Sequence, residues 1–238
     1  MKTLVHYVLG LLLVTLIIYF LPGCGGDRST DSNGATIEPL TVTDIDGNVY
    51  QTVKIGDQLW MAENLRVTHY RNGQLILCIP DSALWAWTTL PLAAYCNYNN
   101  DESNVSVYGR LYNWYAVTDT SKIAPEGWHV PSDAEWQTLV DYLGGPEIAG
   151  GKMKEPGIDY WITPNTGATN ESGFSALPGG YRDPNGHFDY IGIFGHFLSS
   201  SASGYTYAWK WRLNYYDSAI ERLSCNKRSG FSVRCVKD

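Results

Sequence analysis

Five cysteines are the most reactive side chains of this 238-residue chain, and their positions separate two chemistries. Cys24 follows Leu21-Pro22-Gly23, at the end of an apolar run from Tyr7 to Leu21 that only one charge, Lys2, precedes. A basic start, an apolar stretch and a small residue before the cut describe a secretory signal. A cysteine directly after that small residue is where bacterial lipoprotein processing attaches acyl chains. The run is nearly long enough to span a bilayer, but Pro22 and Gly23 interrupt a continuous helix. We therefore expect a signal peptide over residues 1–23, a lipidated Cys24, and a membrane partner reached through the lipid. Everything beyond Cys24 then lies outside the cytoplasm, and the lack of an inner-membrane retention signal at Gly25 favours the outer membrane.

The other four, Cys78, Cys96, Cys225 and Cys235, are an even set in an exported chain, which suggests two disulfides. Ala219–Cys225 and Gly230–Val236 look like two strands joined by Asn226-Lys227-Arg228-Ser229. Such a hairpin displaces Cys225 and Cys235 beyond the ~4.4–6.8 Å Cα separation of a disulfide. The bonds would then join the C-terminal hairpin to the Cys78–Cys96 region, with Cys96–Cys235 and Cys78–Cys225 favoured. No Cys-x-x-Cys pair or ordered Cys/His spacing points to zinc, and no metal or cofactor is expected.

Other reactive residues have structural explanations. Ser132 and Glu135, three apart before an apolar run, form a capping box, and Asp133 and Glu135 suit the positive start of a helix, so they are not read as a catalytic acid pair. Asp44-x-Asp46-Gly47-Asn48 resembles a calcium loop but lacks its later ligands and closing glutamate, and turn chemistry explains it better. Ser199-Ser200-Ser201 with His196 and His187 reads as a loop with local hydrogen bonds, without a nucleophile elbow. His69 and His129 read as ordinary polar or packing residues. No catalytic residue is assigned.

These residues need positioning elements. Residues 24–37 are small and polar and form a flexible tether, leaving 38–238 as one domain with a single core. Thr41 to Leu65 reads as an antiparallel meander with a two-residue turn at Gly56-Asp57, its aliphatic side formed by Val49, Val53 and Ile55. Tyr108–Val117 and a segment starting at Ser132 read as two short helices, the second burying Trp136, Leu139, Val140 and Leu143 and ending at Gly144-Gly145. Gly144–Gly204 reads as a long irregular region, the kind that often carries function. Tyr205, Tyr207, Trp209, Trp211 and Leu213 alternate with Thr206, Ala208, Lys210, Arg212 and Asn214, placing the rings on one face of a strand, more as core than as a binding surface.

Without the signal, 16 basic and 24 acidic residues leave a net charge of −8 and no basic cluster, which argues against nucleic acid as a partner. Nine Trp and seventeen Tyr stand out more, because such rings either fill a sheet-rich core or face a ligand. Trp85, Trp87, Trp161 and Tyr190 lie in irregular segments and are the candidates for exposed, ligand-binding rings.

Ordered phrases run through most of the chain: Asp46-Gly47-Asn48-Val49-Tyr50, Trp60-Met61-Ala62-Glu63-Asn64-Leu65, Tyr95-Cys96-Asn97-Tyr98-Asn99-Asn100-Asp101, Tyr108-Gly109-Arg110-Leu111-Tyr112-Asn113-Trp114-Tyr115, Gly127-Trp128-His129-Val130-Pro131-Ser132, Ser172-Gly173-Phe174-Ser175-Ala176-Leu177-Pro178-Gly179-Gly180-Tyr181-Arg182 and Gly230-Phe231-Ser232-Val233-Arg234-Cys235-Val236. The chain resembles the Fibrobacter succinogenes major paralogous domain, and more distantly the formylglycine-generating and C-type-lectin-like superfamily. The resemblance implies an α+β, C-type-lectin-like mixed fold: two short helices, a small twisted antiparallel sheet and a long irregular loop region. It does not extend to the reactive cysteine pair of the formylglycine-generating members, nor to the lectins' calcium-binding triplets, since Asp183-Pro184-Asn185-Gly186 fits a β-turn. The function expected is a lipid-anchored surface module, non-catalytic, that binds a glycan or an envelope protein through its loop face. The alternatives are a secreted glycan-directed enzyme with an unseen site and a purely structural surface protein.

Overall fold

The computed structural model describes residues 41–87 and 91–238. The expected signal peptide, Cys24 and tether lie outside them. The chain divides into Met1–Glu38 and Pro39–Asp238, and the fold is that of the second unit. Its strands are β1 Thr41–Thr43, β2 Val49–Ile55, β3 Gln58–Met61, β4 Leu77–Cys78, β5 Ala94–Cys96, β6 Leu111–Tyr112, β7 Trp128–His129, β8 Gly179–Arg182, β9 Phe188–Ile191, β10 Phe194–Ala202, β11 Tyr207–Asn214, β12 Ile220–Asn226 and β13 Val236–Lys237. The α-helices are α1 Ser82–Trp87, α2 Val105–Tyr108, α3 Trp114–Val117, α4 Asp133–Tyr142 and α5 Pro146–Met153. This is a mixed α+β fold. Its sheets run β1-β2-β3-β13-β7, β10-β11-β12, β4-β5-β6 and β8-β9, antiparallel except where β4 meets β5.

The meander forms as read. Ile55 pairs with Gln58 across Gly56, which holds φ +61. The core side of β2 differs, however: Tyr50 is buried and Val49 exposed. The Tyr50 hydroxyl donates to Asp44 Oδ2 at 2.5 Å, while Asp44 Oδ1 accepts from the Asp46 and Asn48 amides. Asp44 is thus occupied as a turn acceptor. The single helix expected over 108–117 is broken into α2, β6 and α3. Gly109 sits at φ +73 with no room for a side chain against Asn64, so the chain turns there. Asn113 then caps α3 through the Ala116 amide. In α4, Ser132 Oγ accepts from the Glu135 amide and Glu135 Oε2 from the Ser132 amide, and the four expected apolar side chains are buried.

Two expectations are corrected. Much of Gly144–Gly204 is regular: Pro146 at the first turn of α5 is preset for a helix, and β8, β9 and β10 follow. No C-terminal hairpin forms. β12 pairs with β11, and residues 230–232 instead bridge singly to Arg182, Tyr112 and Phe197 before β13 slots between β3 and β7. With the hairpin goes the register that set Cys225 apart from Cys235; Cys78, Cys96, Cys225 and Cys235 are free thiols in this structure. Cys78 stands opposite Tyr95, so Cys78 and Cys96 project from opposite faces of their sheet.

The alternation in β11 also reads differently in three dimensions. Of the expected core face Trp211 and Leu213 are buried but Tyr205 and Tyr207 are exposed, and Ala208 and Lys210 on the other face are buried instead. Three further cations lie fully inside. Lys154 Nζ donates to the carbonyls of Thr166, Asn214 and Asp217 at 2.8–2.9 Å. Arg182 donates to Ile79, Pro80 and Gly186, and Arg234 to Met61, Phe174, Ser175 and the Asn64 side chain. An aromatic ring faces each of them: Trp161, Trp85 and Phe174, respectively.

His129, on β7, is held by two carboxylates, Nε2 to Glu135 and Nδ1 to Asp238, both at 2.7 Å. Burial opposes charge on the imidazole, but those two hydrogen bonds outweigh it and raise its pKa. Burial likewise opposes charge on Glu135, and bonds from Ser132 and His129 outweigh it and lower its pKa. A lowered carboxylate contributes stability above its ordinary value of 4.5, lost as pH falls through the folded value. A raised histidine contributes below its ordinary 6.5, lost as pH rises through the folded value. Denaturant midpoints measured across pH should therefore peak between those values, and His129→Gln should flatten the alkaline arm.

Candidate functional site

The four expected rings divide evenly. Trp85 is buried, its indole donating to the Asp183 carbonyl at 3.1 Å beneath the Arg182 guanidinium. Trp161 is also buried, donating to the Ala176 carbonyl at 3.0 Å with Lys154 over its ring. Both are corrected from ligand candidates to core: an indole offers a buried carbonyl the donor it needs. Trp87 and Tyr190 are exposed, as read. They belong to separate elements, α1 and β9.

Tyr190 is the better placed. Asp183 Oδ1 accepts from the Asn185 and His187 amides and so closes the β8–β9 turn that the Asp-Pro-Asn-Gly run suggests. Tyr181 pairs with Asp189, and Gly179 with Ile191. Tyr190 then adopts φ +67, which side chains rarely do, and its carbonyl accepts from the Ile193 amide across Gly192. This places the ring, 47% exposed, parallel to Tyr181 at 6.0 Å and 3°. Tyr181 lies parallel to Phe231 at 5.5 Å and 10°. A column of three flat rings thus runs from the surface into the core. Phe194 meets Tyr190 edge-on at 5.1 Å. Ile162 donates its amide to the Gly192 carbonyl, which brings Ile162 and Tyr160, both partly exposed, alongside. A side chain on Gly192 would press against Ile162.

Behind the column, Lys210 Nζ lies 4.5 Å from the Phe231 centroid, 5.2 Å from the Tyr181 centroid and 3.2 Å from His196 Nδ1. Burial pushes Lys210 down to about 8, and burial with the Lys210 and Arg212 charges holds His196 well below its ordinary value. An amine and a neutral imidazole in contact could do base or nucleophilic chemistry, yet both are sealed behind Tyr181 and Phe231. A surface pocket of about 260 Å³ is lined by Val117, Asp119, Lys122, Trp128, His129 and Ser200. There both nitrogens of His129 are taken by carboxylates, so it has no lone pair to accept a serine proton. Ser199 and Ser201 lie within β10 and spend their hydroxyls on the amides of Ser201 and Asp133. His69 bonds to Asp46.

Of the rings that matter here, Tyr181 and Phe194 were missed as partners of Tyr190. Period-two spacing in short strands separated by a turn signal this weakly, because the positive φ at Tyr190 overrides the alternation. The assignment is checked by thermal or denaturant unfolding of two variants. Trp161→Ala should lose about 3–5 kcal/mol, and Tyr190→Ala should stay within about 1 kcal/mol of the parent, since the ring is half exposed and alanine leaves the positive φ as it was.

The family model described as the Fibrobacter succinogenes major domain matches residues 53–237. No curated protein and no solved structure matches the chain. The matched stretch takes in every strand from the end of β2 to β13, along with both halves of the ring column. The chain belongs to the Fibrobacter succinogenes major domain family.

Proposed function

We propose that this chain is a lipid-anchored module of the bacterial cell envelope, held through Cys24 at the outer membrane, that binds a glycan through the loop face around Tyr190 and is not itself an enzyme. One observation carries the reading: an exposed tyrosine kept in a strained backbone conformation, its ring backed by two parallel rings. Strain of this kind costs about 1–3 kcal/mol and clusters at sites of function. A sugar ring presents a flat apolar face of C–H groups, and a rigid aromatic plane receives it with little loss of side-chain freedom. Ile162 and Tyr160 widen the apolar margin. The absence of a basic surface in the sequence fits a neutral saccharide better than a nucleic acid.

The same reading places the fold within the wider C-type-lectin-like group, with Tyr190 serving in place of a calcium-chelating site. An envelope protein is the alternative occupant of this face. The enzyme alternative draws no support from His129 or from the Lys210–His196 pair, whose reactive atoms are respectively bonded and sealed.

A glycan array probed with the full chain, with calcium and with chelator, tests the proposal. Saturable, calcium-independent binding to one glycan class, weakened at least tenfold by Tyr190→Ala with an unchanged melting temperature, is expected. A blank array, or binding that Tyr190→Ala leaves intact, would overturn it.

A further inference from the structure

Between Asn72 and Asn100 the chain carries one charged side chain, Asp81, although charged residues make up 17% of the whole. At that density the stretch would hold about five, so a surface built from it is unusually free of charge. The stretch is not core throughout. Leu75 is 67% exposed, Leu84 61% and Trp87 82%, and Leu77 and Leu92 are exposed as well. β4 is the edge strand of its sheet and carries Leu77, while Leu75 just before it bridges to His69. α1 follows, with the Asp81 carboxylate accepting from the Leu84 amide at its start. Leu84 and Trp87, three apart, share one side of the helix, while Trp85 on the other side is buried over Arg182. Leu92 leads back into β5. A soluble domain rarely displays an apolar patch of this kind without an apolar phase or partner to meet it.

We infer that this patch, centred on Leu84 and Trp87 of α1, docks onto the bilayer interface to which the chain is anchored. The inference rests on the lipid anchor at Cys24. From Cys24 to Thr41 the chain has a contour of at most about 60 Å, while a 200-residue domain has a radius of gyration of about 16 Å. That leash lets any face of the domain reach the lipid and keeps the membrane the most concentrated apolar surface available to it. Tryptophan prefers the headgroup level, where its ring is buried and its N–H stays wet. The stretch holds no Lys or Arg of its own, and the Arg228 guanidinium beside it donates to the Ala86 carbonyl at the end of α1, so apolar contact is what should bring it there and zwitterionic lipid should serve. Docking through α1 would fix which way the Tyr190 face looks.

The test uses the full lipidated chain in phosphatidylcholine vesicles whose acyl chains are brominated, with tryptophan emission compared against unbrominated vesicles and with flotation of the same samples. Bromine should quench part of the emission, and Trp87→Phe should cut the quenched share at least threefold. Leu84→Glu, which leaves all nine tryptophans in place, should do the same by lifting the helix. Protein that floats but shows no quenching, or quenching that both variants leave intact, would overturn the docking while sparing the anchor; an apolar face reserved for a protein partner would give the former result. Wild-type chain that fails to float would overturn anchor and docking together. Flotation that survives Cys24→Ala but not Leu84→Glu would uphold the docking and refute the anchor.

Discussion

Burying a positive charge without a carboxylate is the constraint on which this structure turns. Lys154, Arg182 and Arg234 lie fully inside the domain, and each is met by backbone carbonyls and an aromatic face. Neither contact neutralises the charge. Burial therefore pulls Lys154 down to about 8 and Arg234 to about 9, against the smaller opposing influence of Asp217 and Glu63. What the arrangement supplies is satisfaction of carbonyls that no regular ladder reaches, each of which would otherwise cost about 1–3 kcal/mol. Lys154 gathers residues 166, 214 and 217, Arg234 joins 61 and 64 to 174 and 175, and Arg182 joins 79 and 80 to 186. Segments with little secondary structure are thereby tied to one another through buried side chains.

The ring column depends on the same device. Tyr181 and Arg182 are neighbours on β8 and project from opposite faces of it. Arg182 pins one face to the chain before α1, and Tyr181 on the other supports Tyr190 and rests on Phe231. Phe231 is fixed in turn by its bridge to Tyr112. A flat ring is a useful platform only if it cannot tilt, and here the rigidity comes from the buried polar contacts of the neighbouring Arg182 as much as from stacking. Lys210 and His196, packed behind the column, extend the pattern: the positive charge faces rings and an imidazole, and the Glu221 charge only partly offsets its burial.

Much of the fold was legible in the sequence because its signals are local. The capping box at Ser132 and Glu135, the Gly56 turn, the Asx turn at Asp44 and the buried stripe of α4 each need only a few neighbouring residues. What was illegible is non-local. A lysine destined for three carbonyls looks like any surface lysine, since a carbonyl acceptor has no residue identity to read. Trp85 and Trp161 looked exposed because they sit outside patterned strands, yet they are buried by those same cations and by carbonyl acceptors. The C-terminal hairpin failed because Ile220–Asn226 found its partner earlier in the chain, and the separation it imposed on Cys225 and Cys235 went with it. Within the candidate site, Tyr190 was legible as an irregular-segment aromatic, whereas its stack on Tyr181 required a backbone angle that alternation does not anticipate.

Hydrogen exchange of Lys154→Met would show whether those buried donors hold the loops. Methionine fills the space with similar length but donates nothing to Thr166, Asn214 or Asp217. Carbonyl satisfaction as the organising interaction predicts that the amides of Gly151, Thr166 and Thr169, which bond to Ser218, Tyr215 and Gly151, exchange at least tenfold faster while α4 keeps its protection. Unchanged protection at those three amides would show that the loops are held by apolar packing alone, and would contradict the account.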